Sequence, residues 1–258
     1  MFNNLIRIAC MEKASPDTTN DRLKIDYTTI LRDRVIKAGE FIISLIGIVL
    51  SLPIMALITL IIKIDSPGPA IFKQVRIGKN WRGNGPQTPK KNARFCQENR
   101  KRDLGGRPFV FYKFRTMYVD AREKFPDLYR YEYSPEEIKT FYFKVPDDPR
   151  LTRFGRHLRK TTLDELPNLI NVLKGDMSLV GPRPEIPEML KYYRSEQRKK
   201  FQVKPGVTGL SQVRGRGLLG FQETQKLDVK YIEKKTLWLD FKIIVKTLKV
   251  TFLRIGAF

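Results

Sequence analysis

A chain of 258 residues is long enough to bury a sizeable core and to hold one or two domains. Its formal charge of +22 calls for an anionic partner, which leaves nucleic acid, anionic lipid or a phosphorylated substrate. Two cysteines, Cys10 and Cys96, far apart and without C-x-x-C spacing, exclude a disulfide framework and a cysteine metal cluster.

Residues 1–31 are mixed in pattern, with a loop expected over Ser15–Asp21, and read as an N-terminal arm. Residues 32–64 read as a membrane-inserted segment. Phe41 to Ile62 carries no charge and is long enough to span the hydrocarbon core. Basic residues flank it on both sides: Arg32, Arg34 and Lys37 before, Lys63, Lys73, Arg76 and Lys79 after. Lys and Arg favour the cytoplasmic face, so both ends ask for the same side. Pro53 removes a helix hydrogen bond near the middle, and Ser51 is placed to satisfy a freed backbone group. These residues suit a re-entrant helix kinked at Pro53 and equally a tilted span with a tolerated proline.

The remainder, 65–258, reads as one domain. Ala70–Gly78 and Phe109–Arg115 alternate as the strands of a hairpin, with Lys113 and Arg115 on one face. Between them a loop, 79–107, carries nine basic and two acidic residues. Such a loop suits anionic lipid or plain solvent. Asp120–Val145 reads as partly helical and rich in aromatics. Basic and aromatic residues interleaved there fit single-stranded nucleic acid in principle, but no nucleic-acid motif accompanies them, so core or membrane interface is expected.

The chemistry-bearing stretch begins at Asp147. Arg150, Arg153, Arg156, Arg159 and Lys160 precede two adjacent carboxylates, Asp164 and Glu165; His157 in this run reads as structural. Leu166, Leu169, Ile170 and Leu173 follow at helical spacing, and Gly175 suits a left-handed cap. With Asp164 as the N-cap, Pro167 falls in a tolerated first-turn position, and the carboxylate sits ionised at the positive helix end, a place that also attracts phosphate. Capping alone would account for Asp164 equally well. Arg183, between two prolines, is preorganised for phosphate. Glu185–Phe201 reads as a basic surface helix. Lys204–Arg216 is a glycine-rich turn whose backbone amides can approach a phosphate closely. In the last helix Trp238, Phe241, Ile244, Val245, Leu248 and Phe252 share one face, as in a helix lying in a membrane interface or packed on its own core.

The string T-T-L-D-E-L-P-N-L-I-N-V-L-K-G-D-M-S-L-V-G-P-R-P-E (residues 161–185), with K-F-R-T-M (113–117) and K-P-G-V-T-G-L-S-Q-V-R-G-R (204–216), resembles the signature of bacterial sugar transferases. These are monotopic phosphoglycosyl transferases that load a phosphosugar onto a polyprenyl phosphate. The resemblance implies an α+β, mostly helical fold: a re-entrant helix broken near Ser51 and Pro53, a small β-hairpin, interfacial amphipathic helices, and a catalytic domain on the cytoplasmic face of the bacterial inner membrane. It implies transfer from a UDP-sugar to undecaprenyl phosphate with release of UMP, as the first membrane step of glycoconjugate assembly. Asp164 would be the nucleophile of a covalent phosphosugar intermediate. Glu165, with Asp164, would hold Mg²⁺, and Lys113, Arg115, Arg159, Arg183 and Arg214 would hold the phosphates. Anionic membrane lipid is an expected partner, nucleic acid is not, and a homodimer is allowed for. The family's Ser-Pro break is Ser51-Leu52-Pro53 here, and its Trp-Ala is Leu210-Ser211. A basic membrane-tethered scaffold or a nucleic-acid binder is the competing class, and it needs no Asp-Glu pair among arginines.

Overall fold

The computed structural model describes residues 18–80, 105–142, 145 and 147–252, without the side chains of 18–30, 216 and 252. Cys10, Cys96 and nearly all of the basic loop lie outside the described residues. The fold is α+β and mostly helical, with two small two-stranded sheets. The chain divides into two compact units, residues 1–42 and 43–258. The described part of the first is helical throughout, with Leu31 and Val35 exposed.

The first helix, α1 (Thr18–Asp65), starts well before the expected boundary at residue 32, so Thr18–Asp21 form a first turn instead of a loop. Asp21 near that positive helix end favours the start. Residues 31–65 are long and apolar enough to cross a membrane. α1 continues as helix on both sides of Pro53. Ser51 Oγ donates to the Ile48 carbonyl at 3.1 Å, inside the turn that Pro53 deprives of an amide. Within the second unit, Ile58 and Ile62 pack against Phe114 and Leu158, with Met55 alongside. Ile43, Ile46, Leu50, Leu57 and Leu60 remain exposed. A contiguous apolar face of this kind asks for a cover.

Strands β1 (Ile71–Ile77) and β2 (Pro108–Phe114) form the expected antiparallel hairpin, with Phe72 opposite Lys113. β2 buries Phe109 and Phe111 against Val172 and Met177 on one face. On the other it buries Phe114 against α1. Short helices α2 (Ala121–Lys124) and α3 (Glu137–Thr140) punctuate the aromatic segment. There Tyr131, Tyr133 and Phe141 pack on a core of Ile186, Met189, Tyr193 and Phe201, so the aromatics serve packing. α4 (Arg153–Thr161) is capped by Thr152, whose hydroxyl accepts from the Gly155 amide.

The periodic run after the carboxylates condenses to a short helix, α5 (Asn168–Leu173). Its buried face is Asn168, Asn171 and Val172, whereas the predicted leucine stripe is only half-buried. The reason is Asn171. Its Nδ2 donates to the Val110 carbonyl at 2.6 Å, and its Oδ1 accepts from the Tyr112 amide at 3.1 Å. The side chain thereby satisfies the open edge of β2 and fixes the helix rotation. Gly175 ends the segment at φ 76°, as a left-handed cap requires.

The expected surface helix over 185–201 is replaced by two 3-10 turns, Pro187–Tyr192 and Gln197–Gln202, that bury Met189, Leu190 and Phe201. Lys200 is buried with them and meets Asp228 at 3.0 Å and Glu185 at 3.8 Å. Tyr193 donates to Glu185 at 2.5 Å, so the charges in this core are paired.

β3 (Ser178–Val180) and β4 (Gly206–Thr208) pair in parallel. A Cβ on Gly206 would lie 2.0 Å from the Gly181 nitrogen, so only glycine permits this approach. The Gly206 amide donates to the Pro182 carbonyl and the Gly181 amide to the Thr208 carbonyl. The glycine-rich turn props up the turn that carries Arg183, an arrangement that engages the Gly206 amide. Helices α6 (Leu210–Gly215), α7 (Phe221–Glu233) and α8 (Leu237–Phe252) close the chain. α8 turns Ile243 and Val250 inward and leaves Trp238 62% and Leu248 67% exposed, with Phe241 and Val245 beside them.

Candidate functional site

α4 ends at Thr162, whose φ of 64° reverses the chain into a 3-10 turn, Leu163–Glu165. Pro167, which needs no amide partner, then opens α5. Asp164 is therefore not the cap of the following helix. It lies in the turn between two helices and is only 6% exposed. Leu163 and Leu166, flanking the carboxylates, pack against the cluster that contains Ile58 and Ile62 of α1. The carboxylate pair thus sits at the inward face of the apolar helix.

Cations surround the turn. Arg183 Nη1 donates to Glu165 Oε1 at 3.0 Å. Arg159 Nε donates to Thr116 Oγ1 at 3.2 Å, and its Nη1 is 3.6 Å from Asp148. Asp148, buried and bridged to Arg150 at 2.8 Å, therefore positions Arg159. Lys113, on β2, completes the ring. All of these cationic groups line one cleft of about 1660 Å³ together with Asp164 and Glu165.

Charge and burial pull against each other here. Burial, then repulsion from Glu165, pushes Asp164 above the usual carboxylate range, with Lys113, Arg159 and Arg183 opposing the rise. The expectation that a helix end keeps this group ionised gives way to a balance of burial against three cations. Burial brings Lys113 down to about 8, against the pull of Asp164. Burial likewise lowers Arg159, whereas the Glu165 carboxylate raises Arg183.

The site residues expected from sequence divide as follows. Asp164, Glu165, Lys113, Arg159 and Arg183 come together. Arg115 borders the cleft, but its terminal nitrogens donate to the Pro67 carbonyl, to Ser66 O at 2.6 Å and to Ile62 O at 3.4 Å. It closes the end of α1, where unpaired carbonyls attract a cation, and this occupies the guanidinium expected to hold phosphate. Arg214 is exposed on α6 and outside the cleft lining, because α6 turns Ser211 and Val213 inward. Arg76 of β1 lines the cleft and was not anticipated as a site residue. Its alternation with Ile77 on the strand was the available signal.

For a divalent cation, Asp164 and Glu165 offer two hard oxygen donors on adjacent residues. Among the described residues no group of three His, Cys, Asp or Glu side chains gathers. That donor set fits Mg²⁺, which is commonly held by one or two carboxylates plus substrate phosphate oxygens.

A family model described as bacterial sugar transferase matches residues 32–84 and 87–254. The galactosyl transferase CpsE of Streptococcus agalactiae is 44% identical over 74% of this chain and 36% of its own length. The uncharacterized sugar transferase EpsL of Bacillus subtilis is 36% identical over 73% of each chain. A UDP-glucose:undecaprenyl-phosphate glucose-1-phosphate transferase of Caulobacter vibrioides is 39% identical, over 76% of this chain and 61% of its own. The chain thus spans about a third of the streptococcal relative's length and under two thirds of the Caulobacter protein's.

Proposed function

The chain belongs to the bacterial sugar transferase family, and from that premise we propose that it transfers a phosphosugar from a UDP-sugar to undecaprenyl phosphate, releasing UMP. The observation that carries this reading is the burial of Asp164 among Lys113, Arg159 and Arg183 in a cleft at the inward face of α1. A scaffold or a nucleic-acid binder requires no carboxylate held in that way.

The chemistry follows from the groups present. An Asp164 oxygen attacks the phosphorus that bears the sugar. The bond from that phosphorus to the bridging pyrophosphate oxygen breaks, and its electron pair leaves with UMP. An oxygen of undecaprenyl phosphate then attacks the aspartyl phosphosugar and regenerates the carboxylate. Lys113, Arg159 and Arg183 screen the anionic donor from the anionic nucleophile and stabilise charge on the phosphoryl oxygens. Asp164 and Glu165 would hold Mg²⁺, which neutralises pyrophosphate charge when bound. Arg183 orients Glu165 through its 3.0 Å hydrogen bond.

Purified protein given UDP-glucose or UDP-galactose, Mg²⁺ and undecaprenyl phosphate should yield UMP and a lipid-linked phosphosugar. Without the lipid, its intact mass should rise by one hexose phosphate. Asp164→Asn should lose both products while still partitioning into membranes. UMP release at the wild-type rate from that variant removes Asp164 from the role.

The membrane arrangement belongs to the same proposal. The basic flanks favour entry and exit of residues 32–64 on the cytoplasmic face of the inner membrane, which requires α1 to bend within the bilayer at Pro53, where an amide is missing. Single cysteines at the exposed positions 32 and 63 should then react with an impermeant maleimide in inverted vesicles only. Labelling of one of them in spheroplasts would instead make the segment a span.

A further inference from the structure

The cations of the cleft do not end at Arg183. Arg76 Nη1 donates to the Pro184 carbonyl at 3.2 Å, next to Arg183 in sequence, and its Nη2 donates to Gln74 Oε1 at 2.8 Å. Its Cζ stands 5.5 Å from the centre of the Phe111 ring. Its Nε is buried and has no hydrogen-bond partner among the described residues. Two guanidiniums side by side are unfavourable without an anion. Burial first, and Arg183 second, bring Arg76 down to about 10. Arg183 is answered by Glu165 at 3.0 Å, so Arg76, with its buried Nε unpaired among the described residues, is the guanidinium left to take an anion.

Beyond Arg76 the cleft wall is aromatic. Tyr129 is covered, with Arg150 at 4.9 Å and Arg122 at 5.8 Å from its ring. Tyr133 is covered by Phe141 at 4.4 Å and Tyr192 at 5.9 Å. Tyr131 packs on the same core and lines the cleft, within electrostatic reach of Arg76. Among the described residues it has neither ring nor cation stacked on it.

We propose that Arg76 and Tyr131 seat the nucleoside monophosphate half of the donor, the guanidinium on the phosphate next to the ribose and the phenol ring beneath the base. This rests on the transferase reading above and gives the donor a direction. The sugar-bearing phosphorus must face Asp164, so the leaving half extends away from the carboxylates. The row from Arg183 to Arg76 to Tyr131 supplies a cation and then an open aromatic face in the order in which phosphate and base occur. As the phosphorus–oxygen bond breaks, negative charge gathers on the departing monophosphate, and Arg76 is placed to stabilise it. Stacking on a single ring tolerates either pyrimidine or purine, so this seat by itself supplies affinity more than base selectivity.

The test is UMP binding to the full chain in lipid nanodiscs, measured by calorimetry. Arg76→Gln and Tyr131→Leu should each weaken UMP about tenfold, the scale of one lost stacking or charge-assisted contact, and Tyr131→Phe should bind as wild type does. Because Tyr131 also packs on the core, the unmodified protein provides a second measurement: 5-iodo-UMP, irradiated in the complex, should crosslink to Tyr131. Unchanged UMP affinity in folded Arg76→Gln and Tyr131→Leu, or a crosslink mapped elsewhere, overturns the seat. The predicted binding pattern without any lipid-linked product would sink the transferase reading and leave the seat standing.

Discussion

At the scale of single residues, the site depends on how far burial moves two opposite charges. In the proposed reaction Asp164 attacks only as carboxylate, and burial beside Glu165 pushes its carboxyl above the usual range. In the metal-free protein the Asp164 carboxyl should therefore titrate at higher pH than an ordinary aspartate, read by infrared difference spectra against Asp164→Asn. Lys113 carries its charge only below about 8. As pH rises through that value the ammonium becomes neutral, one screening cation is lost, and kcat/KM should fall. Lys113→Arg, which stays charged, should move the descending limb to higher pH, and Lys113→Met should cost about 10²-fold in kcat/KM at neutral pH. A basic limb that stays in place in the arginine variant would clear Lys113 of that part. The Asp-Glu pair and Arg183 could be picked out from their string. The burial of Asp164 could not, because it comes from the left-handed Thr162 and from Arg159, Lys113 and Arg183 arriving from other elements. Arg76 had only its alternation with Ile77 on the strand to set it apart from the other basic residues of its flank.

At the scale of elements, the hairpin, the C-terminal helix and the Gly175 cap follow from period and turn chemistry. Sequence failed where a side chain from elsewhere decided the outcome. Asn171 rotates α5 by holding β2, so the leucines are not the buried stripe. Lys200 reads as a surface cation and is buried because Asp228 and Glu185 meet it there. Arg115 is the clearest case. Its partners are the last carbonyls of α1 and the turn after it, so its removal should loosen the join between α1 and the hairpin. Arg115→Met should lower stability by about 3 kcal/mol, the cost of buried acceptors left without a charged donor, read as a lower thermal midpoint in nanodiscs. UMP affinity of the folded variant should stay near wild type. A stable Arg115→Met protein with lost UMP affinity would return Arg115 to the phosphate set.

At the scale of the whole chain, the apolar surfaces that no described residue covers are the lipid candidates. α8 separates the two expectations that sequence left open. Ile243 and Val250 serve the core, and Trp238, Phe241, Val245 and Leu248 face outward on a different side. We expect that outward stripe to lie in the bilayer interface. In a Trp81→Phe background, the fluorescence of Trp238 should be quenched by brominated lipid, and quenching only by a water-soluble agent would assign the stripe to solvent.

Leu163 and Leu166 bracket the carboxylates and rest on the helix whose other sides are greasy. On the proposed function, an acceptor with a long isoprenoid tail would reach Asp164 by sliding sideways through the leaflet, with its tail never leaving the hydrocarbon. The quantity that governs its supply becomes molecules per unit area. In the proposed reaction, diluting the leaflet with inert phospholipid should then slow turnover, even when every tube holds the same number of moles.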